Sequence, residues 1–309
     1  MSNMESTSEN TTCDATAAMT DISPRHYAPW IAWTREHFSS PKDETPLVHA
    51  RDVTSDQSSD IESISATRLR TVMARHCMAS FGFMIIRGLD LESRPLELIK
   101  SELKRLFSNN FVLHPQETDA NLILELRPSS IGEQPHLPFH TDAGHFLGLL
   151  CIEPASVGGD SLLVSALTIH KQMMQQHPWL LECLYESWNF HRSDRPGPSH
   201  YKWPIFRDDP DFGLSCYFLP NTIRETAKRI GIPLSPEQSA ALYAFERLLS
   251  LCTNQVQIRL SSGDFLILNN KKILHSRTKY VSNDLEERLL LRAWINLPRS
   301  ELSHGAPPY

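Results

Sequence analysis

Three positions constrain this chain more than any others: His140, Asp142 and His275. His140 and Asp142 sit two apart in Pro138-Phe139-His140-Thr141-Asp142, and residues two apart on an extended strand point to one face. One imidazole and one carboxylate can therefore aim at the same point. A third ligand has to come from elsewhere. His275, in Leu274-His275-Ser276-Arg277, lies 135 positions on (275 − 140).

Two histidines and one carboxylate on one side of a metal leave the opposite positions open. That is the arrangement of non-haem Fe(II) oxygenases, whose metal must take an oxo-acid and O2 together. Ligand type alone leaves Mn and Co open as well. The spacing H-x-D is weak by itself in a chain with 14 histidines, where it can be a His in a polar turn beside a solvated Asp. The ordered set carries more weight. After His140-Thr141-Asp142 come Gly158-Gly159-Asp160-Ser161, Gly263-Asp264, Asn269-Asn270, the His275 segment, and finally Arg288-Leu289-Leu290-Leu291-Arg292.

Apolar periodicity supplies the frame. Residues 1–22 are rich in Ser, Thr, Asn and acidic groups and too poor in large apolar ones to offset ordering entropy, which predicts a disordered tail. The remainder, 23–309, is expected to be one domain. Tyr27, Trp30, Ile31, Trp33 and Phe38 are expected to pack on the core, and Pro41 to Asp60 reads as a polar linker. Leu69, Val72, Met73 and Cys77 share a helical face, and a second amphipathic helix starts near Pro95. Short strands are predicted at 81–87, 121–127, 146–152, 161–165, 256–260, 265–268, 273–275 and 289–296. Leu167 to Glu186 is helical with a break at Pro178, and Ser235-Pro236-Glu237-Gln238 is a helix start. Residues 188–206, with their aromatics and prolines, read as an irregular lid-like segment. Short strands with helices at the N-terminus and as insertions predict a mainly β fold: a double-sheet jelly roll of the cupin type (a double-stranded β-helix) with flanking helices. Strands and helices do not alternate as a doubly wound parallel sheet requires.

Bulk properties narrow the function classes. The net charge of −6 gives no basic surface for nucleic acid or an anionic membrane. The six cysteines form no C-x-x-C pair and read as reduced core residues. No apolar run approaches the ~18 residues of a spanning helix. The acidic start, with no Arg before Arg25, resembles neither a signal peptide nor a transit peptide, so a cytoplasmic protein is expected.

With these residues on the page, the chain resembles the taurine dioxygenase-like (TauD/TfdA) family of Fe(II)/2-oxoglutarate-dependent oxygenases over roughly residues 80–300. Phe139-His140-Thr141-Asp142, Val157-Gly158-Gly159-Asp160-Ser161, Ser262-Gly263-Asp264, Asn269-Asn270, Ile273-Leu274-His275-Ser276-Arg277 and Arg288 to Trp294 carry the likeness. The resemblance implies that His140, Asp142 and His275 hold Fe(II). It implies that Arg288 pairs with the distal carboxylate of 2-oxoglutarate, and that Ser161, where the family usually has Thr, bonds the same group. Arg292 matches a position that in some members holds an anionic group of the substrate. Its other reading is a structural ion pair. Arg288 and Arg292, four apart on a strand, face one way with Leu290 between them, and two buried guanidiniums there call for anionic partners. His145 reads as packing or as a support behind the ligands, not as a ligand, and Gly263-Asp264 as a tight turn. Arg277 and Asn270 resemble family residues near the site but read as structural, and Tyr201 and Trp203 read as loop packing.

The function so implied is O2-dependent oxidation of an unactivated C–H bond, by hydroxylation, desaturation or ring closure. The expected substrate is a small carboxylate-bearing molecule such as an amino acid derivative or natural-product intermediate. A non-catalytic metal/2-oxoglutarate-binding jelly roll and a protein hydroxylase or demethylase are the alternatives. A zinc hydrolase is weaker, since it leaves both arginines unexplained.

Overall fold

The computed structural model describes residues 33, 46–116, 121–191, 200–282 and 288–302. The expected tail at 1–22 and most of the aromatic run at 26–38 lie outside the described residues. Trp33, from that run, is buried and donates its indole N–H to the Phe81 carbonyl (2.8 Å).

The strands begin with β1 (Leu47–His49), β2 (Phe83–Arg87), β3 (Val112–Leu113) and β4 (Ile123–Leu126). Next come β5 (Gly132–Gln134), β6 (Leu137–His140), β7 (Phe146–Glu153) and β8 (Ser161–Ser165). Two hairpins are inserted after them: β9 (Ser187–His191) with β10 (His200–Pro204), and β11 (Phe206–Asp209) with β12 (Gly213–Cys216). The last are β13 (Val256–Ile258), β14 (Phe265–Asn269), β15 (Ile273–Arg277), β16 (Tyr280–Ser282) and β17 (Leu289–Asn296). A major sheet runs β1-β2-β14-β7-β17-β3, with β4 also on β17, and a minor sheet runs β13-β8-β15-β6. Together they form the expected jelly-roll core with flanking helices.

The apolar pattern of each strand explains its place. β7 and β14 are nearly continuous apolar runs, buried on both faces, and they occupy the middle of the major sheet. In β17 the faces part. Leu291, Ala293 and Ile295 join a core that includes Leu69 of α1 (Ala66–Met73) and Leu103 and Phe107 of α2 (Leu96–Ser108). Leu290 points the other way, toward the minor sheet. Leu162, Val164 and Leu274 of the minor sheet share a core with α3 (Ala166–Gln176), α4 (Pro178–Tyr185) and α6 (Pro236–Ser250). Pro178 starts α4 at its first turn, as the break at that residue predicts. Ser235 and Gln238 form the anticipated capping box on α6, with reciprocal bonds of 3.1 and 3.0 Å.

Two expectations are corrected. Residues 41–60 are not simply a linker, because β1 lies within them and pairs in parallel with β2, and Val48 and Val53 are buried. The described parts of the stretch 188–206, residues 188–191 and 200–206, are not irregular. β9 and β10 pair through five residues, Trp188 and Phe190 are fully in the core, and Tyr201 stacks on Phe190 at 5.6 Å. Residues 192–199, where a lid would have to be sought, lie outside the described residues. The helix α5 (Pro220–Arg229) had no counterpart in the sequence reading. Its polar composition leaves only Pro220, Ile223 and Thr226 buried, too few for a periodic signal.

Candidate active site

β15 runs antiparallel between β8 and β6, and this register builds the site. His275 stands directly opposite His140, with ring centroids 4.3 Å apart. Asp142 lies just past the end of β6. Its Oδ1 is 3.9 Å from His140 Nε2, and its Oδ2 is 3.8 Å from His275 Nε2. One ligand atom from each of the three lies within 4.8 Å of the others, a spacing that a single metal ion can bridge.

Each ligand is held in a usable state. His140 Nδ1 lies 2.8 Å from the Pro138 carbonyl, which can only accept, so Nδ1 carries the proton and Nε2 presents its lone pair to the centre. Burial pushes His275 down to about 3, so its imidazole is neutral. Burial alone would raise Asp142, but the charge of the Arg292 guanidinium beside it outweighs burial and holds the carboxyl at about 2, so the carboxylate is ionised. Asn270 fixes the backbone that presents it. Its side-chain oxygen accepts the Asp142 N–H (2.9 Å), and its amide donates to the carbonyls of Asp142, Ala143 (3.2 Å) and Gly144 (3.3 Å). Thr141 is tied to Phe218 in both directions at 2.9 Å.

The triad opens on a cavity between the two sheets. The minor sheet contributes His140, Ser161, Leu163, His275 and Arg277, and the major sheet Leu147, Leu149, Leu266, Leu290 and Arg292. Arg288, Leu290 and Arg292 all line it, which bears out the single inward face read from their spacing. Arg288 is buried, and burial pushes its guanidinium below the ordinary range. Among the described residues no carboxylate pairs with it. Ser161 is buried at the same wall. Gly159, at φ +75°, lets Arg288 pass close over the backbone, since a Cβ there would meet the Arg288 Nε at 3.2 Å.

Arg292 is engaged on the metal side. Its Nη1 lies 3.4 Å from Asp142 Oδ2, its Nε donates to Gln116 Oε1 (2.7 Å), and its guanidinium lies over Trp294 at 4.7 Å. The ion-pair reading is therefore present in the geometry. Gln116, fully buried and also donating to the Arg292 carbonyl (2.9 Å), was missed in the sequence, where nothing links positions 176 apart. Tyr280 was missed too. It is buried and lines the cavity, with the guanidiniums of Arg277 at 4.5 Å and Arg288 at 5.4 Å from its ring. His145 is set apart from the cavity lining. It accepts the Leu297 N–H at Nδ1 (3.1 Å) and packs on Phe212 (4.8 Å), as expected of a packing residue. Tyr201 and Trp203 do not line the cavity, in keeping with a structural role.

The model of the taurine catabolism dioxygenase TauD, TfdA family matches residues 43–294. The chain belongs to that family. An FR-33289 synthase of Streptomyces rubellomurinus is 33% identical over 171 residues, 52% of this chain and 50% of that protein. A taurine hydroxylase-like protein, SAT17, of Stachybotrys chartarum is 31% identical over 182 residues, 56% of this chain and 45% of that protein. The matched stretch thus spans about half the length of these curated relatives. Among solved structures, an asparagine oxygenase in complex with Fe(II), 3-hydroxyasparagine and succinate superposes with a TM-score of 0.58 at 16% identity, over 76% of this chain and 80% of that one. PvcB of Pseudomonas aeruginosa gives 0.55 at 18% identity, over 80% and 84%. The family and these neighbours are Fe(II)- and 2-oxoglutarate-dependent oxygenases with O2 as co-substrate. The residues present fit those groups. The donor set suits Fe(II), and a buried arginine without a carboxylate partner among the described residues suits a dianionic oxo-acid.

Proposed function

We propose that this chain is an Fe(II)/2-oxoglutarate-dependent dioxygenase that oxidises an unactivated C–H bond of a small anionic molecule, with hydroxylation as the basic outcome. His140, Asp142 and His275 would hold the iron, and Arg288 with Ser161 the distal carboxylate of 2-oxoglutarate. When bound, the iron supplies the redox chemistry that couples decarboxylation of the oxo-acid to attack on the C–H bond. The protein's part is to hold and orient. Two imidazoles and an ionised carboxylate would leave one side of the metal open, and leucines of both sheets line that side.

The observation that carries the substrate class is the charge of the cavity wall, which among the described residues holds four arginines (127, 277, 288 and 292) and one carboxylate, Asp142. Arg127 is offset by Glu125 at 3.0 Å, leaving two positive charges in excess. A divalent iron and a doubly charged 2-oxoglutarate cancel, so the excess favours a substrate with its own anionic group. Arg292 Nη2 has no partner among the described residues and is the donor nearest the metal side for it. A cavity of about 170 Å³ enclosed between two sheets suits a small molecule better than a protein segment.

Succinate release from 2-oxoglutarate, followed with paired carboxylates and their neutral amides, tests this. Release that needs Fe(II) and O2 and rises with the carboxylates is expected. An equal rise with the amides would remove the anionic substrate, and no release with any compound would leave a metal-binding jelly roll without catalysis.

A further inference from the structure

Arg277 stands out from the function assigned so far. It lies two residues beyond His275 on β15, so both side chains share the inward face, one same-face step of about 6.6–6.8 Å apart. Its cross-strand partner is Ser161, one of the two residues given to the distal carboxylate. Side chains directly opposite on antiparallel strands are nearest neighbours. Its guanidinium shares the Tyr280 ring with Arg288, the other of the two. Arg277, Ser161, Arg288 and Tyr280 therefore form one end of the cavity, and the metal triad the other.

The electrostatics of that end are unbalanced. Arg288 is buried, and the Nε of Arg277 is shut off from solvent. Asp142, the one carboxylate in the lining, is engaged by Arg292 at the opposite end. One Arg277 nitrogen donates to the Pro135 carbonyl, while its Nε is buried with no partner among the described residues. Arg277 as a whole is half-buried, but a buried donor left unsatisfied is costly unless a ligand completes it.

We propose that Arg277 is a second guanidinium on the distal carboxylate of 2-oxoglutarate, closing with Arg288 and Ser161 a clamp floored by the Tyr280 ring. This rests on the reading of the pocket as a 2-oxoglutarate site. The clamp makes the site selective for a 2-oxo acid that carries a second carboxylate. A 2-oxo acid with the same head and no distal carboxylate leaves both guanidiniums without an anionic partner among the described residues.

The test is anaerobic calorimetry on the Fe(II)-loaded full chain with two ligands, 2-oxoglutarate and 2-oxobutanoate, which lacks the distal carboxylate. Arg277→Gln is expected to weaken 2-oxoglutarate by about 10- to 100-fold, the size of one charge-assisted hydrogen bond, and to change 2-oxobutanoate by less than about twofold. Arg277→Lys, which keeps the charge and loses the planar fork, is expected to weaken 2-oxoglutarate several-fold with 2-oxobutanoate again unchanged, and it decides the matter if the Gln variant does not fold. Equal weakening of both ligands would make Arg277 a support for the Pro135 loop and overturn the clamp, as would unchanged 2-oxoglutarate binding. A wild-type chain that binds iron and neither oxo-acid would instead overturn the underlying pocket assignment, and the clamp with it.

Discussion

Asn270 gives the most exacting test of how the fold delivers its metal ligands. The side chain is 1% exposed and fastens the turn Asp142-Ala143-Gly144 through its oxygen and its amide. Two amide protons serve three carbonyls, so about three bonds are satisfied at once. At a net ~1 kcal/mol each, their loss in Asn270→Ala costs about 3 kcal/mol, and the Asp142 N–H left buried adds to it. Because Asp142 loses its fixed backbone, Fe(II) affinity should fall about 10- to 100-fold, as for other groups that orient metal ligands. Asn270→Asp separates geometry from volume. It can still accept from the Asp142 N–H, but it turns an anion toward the carbonyls of Asp142, Ala143 and Gly144, and should be more destabilising than alanine. Urea unfolding of the metal-free protein gives the stability change, and anaerobic calorimetry with Fe(II) gives the affinity. A loss of stability with unchanged affinity would refute the claim that Asn270 places Asp142. So would an Asp variant that matches the wild type.

Other consequences follow from the same geometry. Arg288→Gln should weaken 2-oxoglutarate by about 100-fold while Fe(II) affinity stays within about twofold, measured by calorimetry. Ser161→Ala should cost about 10- to 100-fold in the same titration, the range of one hydrogen bond to a charged group. The metal-free protein should lose stability as pH falls from about 6.5 toward 4. Burial pushes His145 and His170 each down to about 4, while the unfolded chain takes up these protons near 6.5. Stability is therefore complete above 6.5 and declines through the window, by up to about 3 kcal/mol per histidine at ~1.4 kcal/mol per pH unit. For His145 the cause is visible, since its Nδ1 must be unprotonated to accept the Leu297 N–H. Urea midpoints that stay flat from pH 7 to 4.5 would contradict this.

The parts of the site that were legible in the sequence are those that local rules govern. Closeness in sequence keeps Asp142 beside His140, although Asp142 lies past the end of β6 and not on the strand; period-two alternation sets Arg288, Leu290 and Arg292 on one face, and a jelly roll returns β15 beside β6. What sequence reading missed depends on contacts between distant segments. Gln116 meets Arg292 across 176 positions with no spacing that announces it. Asn270 was read as structural, but its partner Asp142, 128 positions away, could not be named from spacing. β1 escaped notice because a parallel edge strand needs only three residues and a partner far along the chain. The β9–β10 hairpin was hidden by the Pro- and Gly-rich stretch between its strands, although Trp188 and Phe190 alternate as a buried face should.

The central claim is that one cavity holds Fe(II) through His140, Asp142 and His275 and 2-oxoglutarate through its arginine end. The most direct measurement is an anaerobic titration of the metal-free protein with both components, followed by visible absorption. A weak charge-transfer band that needs Fe(II) and 2-oxoglutarate together, and is lost in His140→Ala, is the result predicted. Iron binding with no band at saturating 2-oxoglutarate would contradict the account, because Arg288 and Ser161 would then not be holding the oxo-acid at the metal.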